Sequence, residues 1–256
     1  MNKLNYLIYI TLLTVFLSAC KKEPGNTNVT SSGSNPVSQA LGGSVSIPSG
    51  AAGALYAINN NVLSGGSTTT LSSAYAWFGN YSTTLQAGAV TCNTDTLSTS
   101  IPLTGYSYPW YESEYSLLSS GTQLIINGNA VSWIVQGSGS VAGFTYTDNS
   151  VFPTATFTVP ATISSSAALT IPFSISGQYD LIVCSLTDGT RTPVNISMTS
   201  GSSVTFTAAQ VSGATLPGGD NVTVQIMPIN MNPSAIGGKT YYFVKQNAFA
   251  QTTTTQ

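Results

Sequence analysis

From about Val37 onward, short runs of Val, Ile, Thr, Tyr and Phe alternate with clusters of Gly, Ser, Asn and Pro. No window carries a sustained 3.6-residue apolar period, and Glu, Lys, Arg and Gln are scarce, so a helix would have neither a stripe to bury nor good formers to build it. β-branched and aromatic residues at alternate positions suit a pleated, half-buried strand. In the second half the spacing predicts strands over 156–160, 168–175, 179–186, 194–198, 204–207, 221–228 and 239–246. Pro160 marks the first as an edge, because proline cannot donate to a ladder. The stretch 179–186 is nearly all apolar, as for a central strand, and 221–228 alternates strictly. Asp188-Gly189 supplies a turn between runs.

The first half reads less sharply. Strands are expected over 44–47, 53–58, 75–78, 88–92, 123–126, 131–135 and 143–147, with Asn127-Gly128 as a hairpin signal. The fold class is therefore all-β, an antiparallel β-sandwich divided into two β domains. An N-terminal β domain spans 39–153, a second sandwich spans 154–250, and 251–256 form a polar tail. The junction lies near Phe152-Pro153-Thr154. A single larger sandwich is the competing organisation, since all-β units of this length occur as one domain. Seven strands in about a hundred residues resemble an immunoglobulin-like or fibronectin-type sandwich. The Cys…Trp…Cys signature of antibody domains is missing, so the resemblance is to the architecture and covers roughly 155–250.

The N-terminus has a different pattern. Lys3 precedes an apolar run, 7–16, of about ten residues. As a helix it would rise ~15 Å, half a hydrocarbon core, which fits a signal-peptide h-region rather than a membrane span. Leu17-Ser18-Ala19-Cys20 follows directly. This resembles the lipobox of bacterial lipoproteins, which implies removal of a 1–19 signal peptide and lipidation of Cys20, palmitate included. Cys20-Lys21-Lys22-Glu23 resembles the charged stretch after the lipidated cysteine in Bacteroidota-type surface lipoproteins, and implies the outer face of the outer membrane. The rest of 20–38 has too few aliphatic residues to bury anything and reads as a flexible tether, its thirteen residues 24–36 spanning ~20 Å. The whole chain further resembles Bacteroidota lipoproteins of unassigned function. The resemblance extends to Trp133-Ile134-Val135-Gln136-Gly137 and to the ending Gly237-Gly238-Lys239-Thr240-Tyr241-Tyr242-Phe243.

Composition narrows the function. Of 256 residues, 5% are charged, against about 25% in average soluble proteins. Six Lys and Arg in all exclude the basic footprint that nucleic acid needs. With no His, a His-paired Ser or Cys nucleophile and an imidazole metal site are both excluded. Beyond the tether, three basic side chains (Arg191, Lys239, Lys245) face seven acids, a soluble balance that steers no particular partner.

Few residues offer chemistry. Cys92 and Cys184 sit in apolar runs and read as buried thiols, with a bridge between them as the alternative. Glu112 and Glu114 would lie ~7 Å apart on one strand face, a spacing within a glycosidase's range. No signature surrounds them, and no enzyme activity is expected. Asp148-Asn149, Asp188-Gly189 and Asp220-Asn221 lack the dense acidic spacing of a calcium loop and read as turns, so neither metal nor cofactor is expected. The densest unusual feature is 106–115, with five aromatics and two acids. Sugars offer apolar faces ringed by hydroxyls, which flat rings stack against while carboxylates take the hydroxyls. Tyr106, Tyr108, Trp110, Tyr111, Glu112, Glu114 and Tyr115 are thus candidate glycan-binding residues; the alternative is that these rings cover a sheet edge or the domain junction. The expected function is a non-catalytic surface lipoprotein with a structural or adhesive role, held to the membrane by its lipid. Its possible partners are another envelope protein or, in the alternative, a surface carbohydrate.

Overall fold

The structure, a computed structural model, describes residues 47–64, 67–80, 83–99, 110–113, 124, 126, 128 and 130–256. The expected signal peptide, Cys20 and the expected tether lie outside them, as do Tyr106, Tyr108, Glu114, Tyr115 and Asn127.

Apart from one short helix, the regular structure of the described residues is all strand. In order these are β1 (Gly53–Ser64), β2 (Ser67–Asn80), β3 (Thr83–Thr84), β4 (Val90–Cys92), β5 (Asp95–Thr96), β6 (Ser98–Thr99) and β7 (Tyr111–Glu112). Then come β8 (Val131–Val135), β9 (Phe144–Asp148), β10 (Thr154–Phe157), β11 (Thr162–Ile163), β12 (Leu169–Ser176) and β13 (Leu181–Thr187). β14 (Val194–Met198), β15 (Ser203–Phe206), helix α1 (Ala208–Ala214), β16 (Asn221–Ile236) and β17 (Lys239–Thr255) complete the chain. Among the described residues no helix is long and apolar enough to cross a membrane.

Ten strands share one sheet, along β14-β13-β16-β17-β1-β2-β7-β6, with β3 and β11 attached to β2 and β17. Two smaller sheets are β10-β12-β15 and β5-β4-β8-β9. Side-chain alternation sorts the large sheet into faces. Leu55 and Ala57 on β1, Ala76 and Phe78 on β2, and Tyr241 and Phe243 on β17 form one core with Val90, Cys92, Val131 and Trp133 of the four-stranded sheet. Further along the same parity, Ile182, Cys184, Val224 and Ile226 pack on Ile171, Phe173, Val204 and Phe206 of the three-stranded sheet. The opposite parity, with Tyr56, Trp77, Val183, Ile229 and Val244, makes a third cluster with Ile47 and Trp110.

In the second half three strands (β10, β12, β15) face four strands of the large sheet (β14, β13, β16, β17) across a shared core, as in a β-sandwich. The expected junction at 152–154 is crossed by the large sheet. β1 pairs in parallel with β17 from Gly53↔Tyr241 to Val62↔Ala250. Both halves therefore draw on β17. The expected tail 251–256 is strand as far as Thr255, because β16 and β11 pair with it and bury Thr253 and Thr255. β16 outruns its expected end at 228. The stretch 229–236 carries the turn-forming residues Asn230, Asn232, Pro233 and Ser234, yet stays in register with Tyr241 and Phe243. Gly237 and Gly238, at φ +57° and +76°, close that hairpin in the left-handed region that a two-residue turn requires. Helix α1 is an element the apolar pattern misses, since its seven residues fall short of the 11–18-residue window in which a helical period is read. Its Thr207/Gln210 capping box supplies the start signal.

Candidate functional site

The described part of the aromatic segment turns inward. Trp110 is 6% exposed and Tyr111 4%. Trp110 Nε1 donates to the half-buried Glu112 Oε2 at 3.1 Å, so ring and carboxylate satisfy each other. Tyr111 packs edge-on to Phe78, centroids 5.8 Å apart, and its hydroxyl accepts the Ala87 N–H at 2.8 Å. β7 is held on β2 by Tyr75↔Glu112 and Ala76↔Tyr111. Neither Trp110 nor Tyr111 presents a free face for a sugar to stack on; both cover the sheet.

The two thiols lie in different cores, Cys92 beside Trp133 and Cys184 beside Ile226, and neither is bridged. Burial raises each to about 12, with the Asp95 charge adding to the effect at Cys92, so neither is a thiolate nucleophile at neutral pH. Each of the three Asp-containing turns uses one carboxylate oxygen to accept backbone N–H groups, while the buried Oδ2 of Asp188 has no hydrogen-bond partner and lies 3.9 Å from Arg191 Nε. Asp188 Oδ1 accepts the Thr190 and Arg191 N–H groups, both at 2.8 Å. Burial would raise this carboxyl, but those bonds and the Arg191 charge hold it below its ordinary value. Asp220 Oδ2 accepts the Leu216 N–H. Asp148 Oδ1 accepts the Ser150 N–H within its own turn. Among the described residues no group of three or more His, Cys, Asp or Glu is placed to share a metal ion. An open polar groove of about 540 Å³ runs between residues 177–180 and 230–233, with Tyr179 and Asp180 on one side and Asn230 and Asn232 on the other.

The most unusual polar site is one that sequence reasoning does not single out. Lys245 and Asp148 are 1% and 2% exposed and their charged groups are 3.5 Å apart. Lys245 Nζ also donates to the Ser150 and Asp148 carbonyls, at 2.6 and 3.0 Å, and lies 5.2 Å from the Phe152 ring centroid. Asp148 Oδ1 further accepts Asn232 Nδ2 at 3.1 Å and the Ser150 N–H at 2.9 Å. Desolvation lowers the Lys245 ammonium below its ordinary value, against the opposing pull of Asp148. An ion pair this deep is costly unless further hydrogen bonds support it, and here two carbonyls meet the ammonium while the Asn232 amide and the Ser150 N–H meet Asp148 Oδ1.

The same parity of β17 continues the pattern. Asn247 Nδ2 donates to the Pro153 carbonyl at 3.0 Å, Gln251 Nε2 to Phe157 O at 2.7 Å, and Thr253 Oγ1 to Pro160 O at 2.6 Å. Gln251 Oε1 accepts the Val159 N–H as well. One edge of side chains thus binds the backbone of 148–160, the segment that leads from one core to the next. The sequence did carry a signal. In Tyr241-Tyr242-Phe243-Val244-Lys245, the lysine falls on the parity of the buried Tyr241 and Phe243. No protein-family model and no curated protein matches the chain.

Proposed function

We propose that this chain is a non-catalytic lipoprotein of the outer membrane, anchored through lipid on Cys20 and serving a structural or adhesive role at the cell surface. The supporting observation is the parallel pairing of β1 with β17. β1 is the described strand nearest the tether, so a pull from the anchor passes the buried Ile47 and reaches the sheet at the Gly53 end of β1. β1 has a neighbour on each side over most of its length. A load drawn along it toward the far end of the sheet acts in shear on many ladder bonds together, instead of opening them one at a time. The polar belt of β17 holds the connecting segment against the same sheet. Such a body suits a stand-off element that contacts other envelope components.

The test is labelling of cells with radioactive palmitate, followed by protease treatment of intact cells. A labelled protein that is digested without lysis is expected, with label lost in a Cys20→Ala variant. An unlabelled wild-type protein would remove the lipoprotein reading, and digestion that needs lysis would move the body to the periplasmic face. Affinity electrophoresis against a polysaccharide panel tests the carbohydrate alternative. Retardation that disappears in Trp110→Ala would replace the structural reading with glycan binding.

A further inference from the structure

We propose that Lys245 and Asn232 are the reactants of a self-catalysed amide cross-link between β17 and β16, with Asp148 as the proton carrier. Three groups of the required kinds meet at one atom. Asp148 Oδ1 lies 3.5 Å from the Lys245 amine and 3.1 Å from the Asn232 carboxamide nitrogen. The strand register brings them there. Asn230 stands opposite Lys245, and Asn232 opposite Phe243, so Asn232 is the diagonal neighbour of Lys245 on the same face.

The surroundings suit the reaction. Lys245 and Asp148 are shut away from water. Phe152 lies beside the amine, and Phe243 carries the stacked ring of Tyr146, centroids 3.8 Å apart. A desolvated lysine gives up its proton more readily and becomes a nucleophile. The electrophile is also protected. An asparagine ordinarily loses its carboxamide by cyclising onto the next backbone nitrogen. Here that nitrogen belongs to Pro233, which carries no N–H to attack with.

The chemistry balances without an added reagent. The Asp148 carboxylate takes a proton from the Lys245 ammonium. The freed amine attacks Asn232 Cγ, and the new C–N bond forms. Asp148 passes its proton to Nδ2 as the Cγ–Nδ2 bond breaks. The second amine proton leaves with the departing nitrogen, so the products are an amide joining Nζ to Cγ, one ammonium ion and the carboxylate restored.

Trypsin digestion of the denatured mature protein reads the outcome directly. Cleavage after Arg191, Lys239 and Lys245 of an unlinked chain yields the separate peptides 192–239, 240–245 and 246–256. The cross-link blocks cleavage at Lys245 and joins 192–239 to 240–256, in a species lighter than its parts by one ammonia beyond the mass balance of hydrolysis. That species is expected in place of free 246–256, and Asp148→Asn and Lys245→Arg should restore the three peptides. If either variant fails to fold, the wild-type digest still decides. Three free peptides from wild-type protein would overturn the proposal and leave a buried ion pair. A joined species containing Asp148 and lacking one water would equally overturn Asn232 as the reactant.

Discussion

Leu55 of β1 and Phe243 of β17 stand opposite each other in parallel register, so the first described strand and the last are neighbours in one sheet. Both are buried in the core beneath the four-stranded sheet, where Phe144 also meets Phe243 edge-on at 6.4 Å. β17 then continues into the second core through Phe249. Neither core is complete without it.

Loss of either core should therefore bring down the other. Phe243→Ala is expected to cost about 3–5 kcal/mol, the usual range for a buried phenylalanine. Unfolding should stay a single transition. Two probes report on the two halves. Trp77, Trp110 and Trp133 lie in the first, and the Cys184 thiol, in a Cys92→Ala background, lies in the second. Tryptophan fluorescence and thiol labelling should trace one urea curve. Two separated midpoints would mean the halves fold independently.

The reach of the sequence follows from the physics of each element. Strands such as 131–135 and 194–198 were legible at their observed bounds, because one face is buried in the first and half-buried in the second, and the alternation survives. The long extension of β16 was not, because Asn230, Asn232, Pro233 and Ser234 carry turn chemistry while long-range register makes them strand. Parallel β1–β17 pairing leaves no local trace, since nothing near Gly53 in sequence encodes a partner near Tyr241. At the candidate site, the richness of 106–115 in aromatics was visible, but not the direction its rings face. Lys245 was visible as a lysine on an apolar parity, while its partner Asp148 sits 97 residues away.

Gln251 should matter more than an ordinary polar side chain on a strand. Its amide donates to Phe157 O and accepts from Val159 N, replacing a missing strand neighbour for both groups. Gln251→Ala leaves two backbone groups without that partner, at an expected cost of about 1–3 kcal/mol in urea denaturation. Gln251→Glu keeps the acceptor but cannot donate to Phe157 O, and should lose a comparable amount at neutral pH. An unchanged midpoint in both variants would show that water substitutes freely at this edge.

Gly137 is set by close backbone approach. It has φ +90°, and a Cβ there would fall 2.4 Å from the Gly143 nitrogen. Gly143 faces the same limit, with the Gln136 carbonyl 2.4 Å away. Gly137→Ala should destabilise by about 2 kcal/mol or more, as strained left-handed positions with a clash do. Gly139, at φ +57° with open space around its Cβ direction, is the matched control and should lose less. Equal melting temperatures for the two variants would contradict this.

Alkaline pH should weaken the fold through its thiols. Cys92 and Cys184 are raised from 9.0 to about 12, the first by burial and the Asp95 charge, the second by burial. Their folded-state pKa lies above the unfolded one, so the folded chain holds protons that the unfolded chain releases. The stabilisation is complete below pH 9.0 and is lost as pH rises toward about 12. Tyr146 and Tyr241, both raised mainly by burial, act with the same sign. Lys245, if still an amine, acts with the opposite sign, because its folded pKa is lowered. Two thiols and two phenols against one ammonium leave a net loss. Urea denaturation from about pH 8 to about pH 10 should show a decline in which each thiol accounts for about 1 kcal/mol. A Cys92→Ala/Cys184→Ala protein should start less stable and decline less steeply. A slope equal to that of the wild type would mean that the buried thiols do not resist ionisation.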